Sequence, residues 1–183
     1  MAKPPTASAL IQHILPEAFQ TEESAIVHGS REAERLGATP PGRAMREISE
    51  HARRVQPELQ RLAAARGHKA ARRATMLGRV FSNVRTFGTD LLVSTEKSYR
   101  GTLHGVHHGI GTFLFLEDAA IASGDQELAD FCAGWLSERK RLVEDAERDL
   151  AWFADHPALA MARTKLPVLA KLRPIRATVQ PAT

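Results

Sequence analysis

Carboxylates and histidines that could hold a metal ion recur along this chain of 183 residues. The metal candidates are Glu22, Glu47, His51, His107, Glu117 and Glu144, with Glu23, His108 and Glu147 as neighbouring alternatives. His104 and His108 share one face of a helix whereas His107 points elsewhere, so these three histidines cannot form one ligand set on a straight helix. Carboxylate and imidazole ligands together suit iron or manganese. A centre with iron or manganese as cofactor is therefore one hypothesis for this chain.

Three charged residues fall on stripes that should be buried. Glu22 and Glu117 lie on the apolar seams of two predicted helices, and Arg139 lies on the seam of another. A buried charge is costly unless it is paired, so each carboxylate needs a partner. The sequence therefore predicts a buried ion-pair cluster of Glu22, Glu117 and Arg139, whose role would be to fix the register of the helices.

A row of glycines marks one side of the third predicted helix. Gly101, Gly105 and Gly109 stand four residues apart and line one face. Each glycine costs about 1 kcal/mol relative to alanine in a helix interior, so the row suggests that something packs close to this face. The contact could be a neighbouring helix of the same chain, a second copy in a homodimer, or a ligand that lies on bare backbone.

Apolar residues recur at three- and four-residue steps over four stretches, which predicts an all-α protein with four long helices. The stretches cover about 8–36, 41–66, 94–123 and 126–154. Residues 68–95 mix apolar residues with glycines and are predicted to form a long crossover between helices two and three. The predicted organisation is a disordered lead over 1–7, a four-helix bundle over 8–155 and a proline-containing tail over 156–183.

The tail has two interpretations. Three prolines after residue 163 forbid a long helix. Leu166, Leu169 and Leu172 nevertheless make this segment too apolar for an inert linker. It either lies along the bundle or docks on a partner protein through residues 163–183.

The overall composition argues against several classes of function. The net charge of +4 is mildly basic, but the basic residues of helix two have no aromatic residues among them, which argues against nucleic acid as a partner. Cys132 is the single cysteine, so no intrachain disulfide exists and a reducing compartment fits. Without a signal peptide or an apolar run of transmembrane length, we expect a cytoplasmic protein with no membrane partner.

No catalytic residue is assigned, because no nucleophile motif or glycine-rich phosphate loop occurs.

Two stretches resemble the YciF-like branch of the ferritin-like superfamily. HARRVQPELQRLAAARG, which begins at His51, is similar to that family's helix-two pattern of a histidine, a polar run, an Arg-Leu pair and a glycine. HHGIGTFLFLEDAAIASGD, which begins at His107, is similar to its helix-three pattern, which ends in Gly-Asp. The resemblance covers about residues 8–155. It implies a ferritin-like four-helix bundle with a long crossover between helices two and three, and a di-iron site.

The ligand positions depart from the family pattern. A ferritin-like di-iron site takes a Glu from each of two helices and a Glu-x-x-His motif from each of the other two. His107 matches the family's histidine, but Val106 and Gly109 stand at the flanking glutamate positions. Arg54 stands at the acidic position three residues after His51, and no Glu-x-x-His occurs anywhere in the chain. We therefore expect a ferritin-like bundle with a degenerate metal site.

Three functions stay open at this point. The first is a non-catalytic structural or interaction protein, homodimeric through helix three, with no cofactor. The second is a divergent di-iron or manganese oxidase or iron-binding protein. The third is a partner-docking module that uses the C-terminal tail.

Overall fold

The computed structural model describes residues 6–68 and 93–163. These residues form α1 (Ala7–Leu36), α2 (Pro40–Ala65), α3 (Thr95–Ser123), α4 (Gln126–Arg148), α5 (Leu150–Asp155) and α6 (Pro157–Ala160). Within the described ranges there is no β-strand, only an isolated bridge between Ser94 and Arg163. The predicted all-α class is confirmed.

The ends of the long helices follow from local sequence. The Thr6 hydroxyl accepts a hydrogen bond from the backbone N–H of Ala9 at the start of α1, and the Asp125 carboxylate accepts one from Leu128 at the start of α4. Gly124 ends α3 with a φ of 74°, a left-handed conformation that a glycine adopts without strain. These caps satisfy backbone groups that a helix leaves without an internal partner.

Helix α1 packs antiparallel to both α2 and α3. Near the start of α1, the Gln12 side chain donates a hydrogen bond to the carbonyl of Arg66, directly after α2. Near the end of α1, Arg35 donates one to the carbonyl of Thr95, the first residue of α3. The end of α2 and the start of α3 therefore lie at opposite ends of α1.

Helix α4 packs antiparallel to the same two helices. Arg66, at the end of α2, forms an ion pair with Asp125, at the start of α4. Tyr99, near the start of α3, donates its hydroxyl to the carbonyl of Ala146, near the end of α4, at 2.8 Å. Consequently α2 and α3 run in the same direction.

The core between these helices consists of two apolar clusters. One lies toward the start of α1 and includes Phe19, Phe113 and Trp135. The other lies toward the end of α1 and includes Met45 and Tyr99. Helices α1 to α4 contribute to both clusters, so the core extends along most of their length.

Helices α1 and α2 approach closely at Gly29. A Cβ atom added to this glycine would lie 3.0 Å from the carbonyl oxygen of Met45 and 3.2 Å from Cβ of Ser49. The Ser49 hydroxyl donates a hydrogen bond to the carbonyl of Ile26 on α1 at 3.1 Å. The missing side chain therefore permits a direct side chain–backbone bond between the two helices.

Helix α1 covers the predicted stretch 8–36 and continues through Pro16, which removes only one backbone donor from a helix of 30 residues. Two other boundaries differ from the predicted ones. Helix α4 ends at Arg148 rather than near residue 154, and helical residues reach Ala160, past the predicted bundle limit at 155. The predicted lead, crossover and tail fall mostly on residues 1–5, 69–92 and 164–183, which lie outside the described residues.

Candidate functional site

The side chain of Arg139 is the centre of a group of buried polar residues. It projects from α4 and is 1% exposed. Its Nη2 donates a hydrogen bond to Oε2 of Glu22 on α1 at 3.0 Å, and its Nε donates one to Nδ1 of His51 on α2 at 3.0 Å. Both partners are as deeply buried as Arg139 itself. One guanidinium thus joins three helices. Glu22, His51 and Arg139, with the adjacent Trp135, are called the Arg139 cluster below.

The Arg139 cluster lies where the two apolar clusters meet. On α1, Phe19 belongs to the first apolar cluster and Ala25 to the second, with Glu22 between them. On α4, Leu136 and Leu142 flank Arg139 in the same way. An axial slip of α1 relative to α4 would separate the Glu22–Arg139 ion pair.

The hydrogen bond from Arg139 fixes the tautomer of His51. Because Nδ1 accepts this bond, the proton of the neutral ring must be on Nε2. Nε2 lies 3.5 Å from Oε2 of Glu138, a carboxylate that is 41% exposed and also pairs with Arg54. Nε2 forms no hydrogen bond with described residues, so His51 lies between the buried guanidinium and this surface ion pair without bonding to the latter.

Trp135 provides the apolar side of the cluster. The guanidinium carbon of Arg139 lies 4.7 Å from its ring centroid, which is a cation–π distance. Phe113 of α3 stacks on Trp135 with ring centroids 3.7 Å apart, so α3 also supports the cluster. Nε1 of Trp135 and Oε1 of Glu22 are both buried, and neither forms a hydrogen bond of standard geometry with described residues.

Burial sets the protonation of the cluster. Desolvation raises the pKa of Glu22, and the charge of Arg139 opposes this rise. Desolvation also lowers the pKa of Arg139, but the guanidinium keeps its proton, as arginine does in proteins. Desolvation and then the Arg139 charge lower the pKa of His51 to about 4, so this imidazole is neutral at pH 7. The result is one cation that is shared by a carboxylate and a neutral ring.

The six predicted metal ligands are not brought together. Glu22 and His51 lie in the core, and Arg139 is bonded to both. The other candidates lie outside the cluster, with Glu47, His107 and Glu144 exposed and Glu117 half-buried. In residues 6–68 and 93–163, no group of three or more His, Cys, Asp or Glu side chains is placed to hold a metal ion. The described residues therefore do not fit the di-iron site that the ferritin-like resemblance implies.

The predicted ion-pair cluster needs one correction. The structure pairs Glu22 with Arg139, but within the described ranges no ion pair or hydrogen bond joins Glu117 to Arg139, and His51 takes that place. The stacking of Phe113 on the cluster puts Glu117 one helical turn further along α3. There its charge adds to burial in raising the pKa of Cys132 to about 12.

The three glycines of α3 do not share one environment. A Cβ atom at Gly109 would lie 3.3 Å from Cβ of Thr21, so a close contact within the chain exists at this position. Gly101 and Gly105 are exposed, and a Cβ atom there would meet nothing within 4 Å. Packing within the chain therefore accounts for one glycine and leaves two on the surface.

Sequence reasoning placed His51 among the metal candidates and did not place it beside Arg139. A signal for its burial exists, because His51 continues the three- and four-residue steps from Ile48 to Val55 and Leu59. A histidine and an arginine on two buried stripes are candidates for a shared hydrogen bond. Which of them meet depends on the axial positions of the helices, which periodicity does not report.

Comparisons with known proteins identify no relative. No protein-family model, curated protein or solved structure matches this chain. Among the helices of the described residues, none combines the length and the apolar character needed to cross a membrane.

Proposed function

We propose that this protein is a non-catalytic, ferritin-like four-helix bundle that serves as a structural or interaction protein and assembles as a homodimer through α3. The position of Arg139 is the observation that carries the proposal. Its guanidinium is bonded to a carboxylate of α1 and an imidazole of α2, which are the ligand types that a core iron or manganese ion would use. The protein thus supplies its own cation at this level of the core.

Electrostatics favours this interpretation over a metal centre. Two unit charges 4 Å apart repel each other by about 4 kcal/mol at an effective dielectric constant of 20, and a divalent ion beside Arg139 would meet about twice that. The Arg139 cluster contains one carboxylate, Glu22, whose charge is already neutralised by the guanidinium. A di-iron pair would need more negative charge than the cluster offers.

The helix directions support a ferritin-like topology. Helices α2 and α3 run in the same direction, and the end of α2 lies at the opposite end of α1 from the start of α3. The chain between them joins opposite ends of the helix group, as the crossover of a ferritin-like bundle does.

The exposed side of α3 supports a homodimer. We define the α3 outer face as His104, His108, Gly111 and Phe115, together with the bordering glycines Gly101 and Gly105. Its four central residues recur at steps of four, three and four, so they share one side of the helix. Phe115 is 51% exposed, and the glycines leave backbone that a second copy can approach closely. A two-fold contact on this face would bury one phenylalanine from each copy.

Elemental analysis of protein purified without added metal tests the core assignment. We expect substoichiometric iron and manganese in the wild-type protein. Stoichiometric iron or manganese that is lost in Glu22→Gln and retained in the exposed control Glu144→Gln would overturn the proposal, because the ion would then be held at the core.

Light scattering coupled to size-exclusion chromatography tests the dimer. Gly105 and Gly134 are both exposed helical glycines at which a Cβ atom would meet nothing within 4 Å, so they form a matched pair. Gly105→Leu should shift the protein to the monomer, whereas Gly134→Leu on α4 should leave the dimer intact. A monomeric mass for the wild-type protein at every concentration, with and without divalent metal, would refute the dimer.

A further inference from the structure

We propose that His104 and His108 form half of a zinc-type metal site, and that a second copy of the chain completes this site across the α3 outer face. The inference rests on the proposed homodimer. Two histidines four residues apart project from one side of a helix, which is the spacing that helical zinc sites use for two of their ligands. Imidazole nitrogen is among the preferred ligands of zinc.

Both rings are available for coordination. His104 is exposed, and no hydrogen bond or ion pair engages it among the described residues. The His108 side chain is 64% exposed, and its Nε2 lies 3.0 Å from Oε1 of Glu17 on α1. The site is therefore on the surface and distinct from the buried Arg139 cluster.

The Glu17 carboxylate lies beside the His108 imidazole. Its Oε1 is 3.2 Å from the hydroxyl of Thr112, which has a single proton to donate either to this carboxylate or to the carbonyl of His108 at 3.1 Å. A carboxylate at Nε2 favours the tautomer that has its proton on Nε2 and leaves the Nδ1 lone pair free for a metal. Histidines that bind metals commonly use their second nitrogen in this way.

One chain supplies too few ligands for a closed site. Zinc in a structural site takes four ligands, and in the described ranges no third His, Cys, Asp or Glu joins a metal-binding group. A two-fold axis beside His104 and His108 would add the same two histidines from the second copy, which gives four imidazoles. Gly105 and Gly111 flank the pair, and a Cβ atom added to either would meet nothing within 4 Å, so they allow the two helices to approach.

His107 provides an internal control. It lies within the same HGVHH segment, and its side chain is 45% exposed. Its Nε2 lies 3.0 Å from Oε1 of Glu147 on α4, as Nε2 of His108 lies 3.0 Å from Glu17, so the two histidines differ in the side of α3 that they occupy and not in the type of partner. A general affinity of exposed histidines for metals would involve His107 as much as its neighbours, whereas the proposed site would not.

The test measures dimerisation by analytical ultracentrifugation in EDTA and in ZnCl₂, with zinc binding measured by isothermal titration calorimetry. For the full-length protein we expect one zinc per dimer and, because zinc would bind only the dimer, a dimer dissociation constant at least about tenfold lower in zinc than in EDTA. His104→Ala and His108→Ala should each abolish the zinc effect, and His107→Ala should retain it. Glu17→Gln should weaken zinc binding by about tenfold or more while the helix content stays unchanged.

Each alternative result has a distinct meaning. A dimer in EDTA that zinc does not strengthen would overturn the metal site and leave the proposed dimer standing. Zinc binding by a protein that stays monomeric, or a zinc effect that is lost in His107→Ala, would also overturn the site. A monomer under both conditions would overturn the metal site and the proposed dimer together.

Discussion

Replacement of Arg139 by methionine should strongly destabilise the fold. The guanidinium is 1% exposed and is bonded to Glu22 and His51, whereas methionine would leave the Glu22 carboxylate buried without a cation. Removal of one partner of a buried ion pair costs about 3–5 kcal/mol. Because the free energy of unfolding of a domain is about 5–15 kcal/mol, this loss would be a large part of the total.

Two smaller effects partly cancel in this variant. His51 loses the donor to its Nδ1, which costs about 1 kcal/mol. Methionine can pack its sulfur against Trp135, a contact that contributes about 0.3–1.5 kcal/mol. The expected loss therefore remains at about 3–5 kcal/mol, as for the ion pair alone.

The pH dependence of the loss follows from Glu22. In the wild-type protein Arg139 opposes the rise of the Glu22 pKa above 4.5, and in the variant this opposition is gone. A folded-state pKa above the unfolded value means that the folded protein binds more protons, so its stability increases as the pH falls through that range. After desolvation, the Arg139 charge is the next largest cause that lowers the pKa of His51. Without this charge, protonation of His51 at acidic pH would destabilise the folded protein less. Both effects should shrink the difference between variant and wild type from pH 7 to pH 5.

Urea denaturation followed by circular dichroism at several pH values measures these effects. Glu22→Gln combined with Arg139→Met should recover more than half of the loss, because the buried carboxylate is then removed as well. Arg141→Met is the matched control, since Arg141 is 60% exposed and pairs with Asp145 on the same helix; it should change stability by less than about 1 kcal/mol. A loss below about 1 kcal/mol in Arg139→Met, or no recovery in the double variant, would refute the reasoning.

Three further predictions concern His51, the glycines of α3 and the start of α4. Because the pKa of His51 is lowered from 6.5 to about 4, its contribution to stability is complete above pH 6.5 and is lost as the pH falls toward 4. In urea denaturation across this range, the free energy of unfolding of the wild-type protein should fall by about 2–3 kcal/mol more than that of His51→Gln. Gly105→Ala should raise the free energy of unfolding of the monomer by up to about 1 kcal/mol, and Gly109→Ala should fail to do so because its Cβ would crowd α1; equal urea midpoints for the two would contradict this. Asp125→Ala should cost about 2 kcal/mol at pH 7 through loss of a helix cap and of the partly buried pair with Arg66. Because Arg66 lowers the pKa of Asp125, the ion-pair part of that cost should disappear as the pH falls below about 4, and a pH-independent cost would speak against the ion pair.

Much of the architecture could be predicted from the sequence because helix formation is governed by local pattern. The three- and four-residue steps placed the four long helices, and the break predicted between residues 123 and 126 coincides with the left-handed Gly124 and the capping carboxylate of Asp125. The same periodicity put Glu22 and Arg139 on buried stripes, and their pairing followed from the cost of an unpaired buried charge.

The sequence could not place residues of different helices at the same level of the core. Glu117 and His51 both lie on helices that neighbour Arg139, and the choice between them depends on the axial offset of α2 and α3 relative to α4. The glycine row likewise predicts one close-packed surface, but the position of α1 brings it close at Gly109 and leaves Gly101 and Gly105 open.

By itself, the sequence determined the helical class, the positions of the long helices and the presence of opposite charges in the core, because these depend on side-chain periodicity and on the cost of burial. The tertiary structure alone decided that Arg139 is shared by Glu22 and His51, that the candidate metal ligands are dispersed, and that His104 and His108 face outward. The physical reason is that periodicity defines which side of a helix is buried, whereas the packing of side chains between helices defines which residues meet.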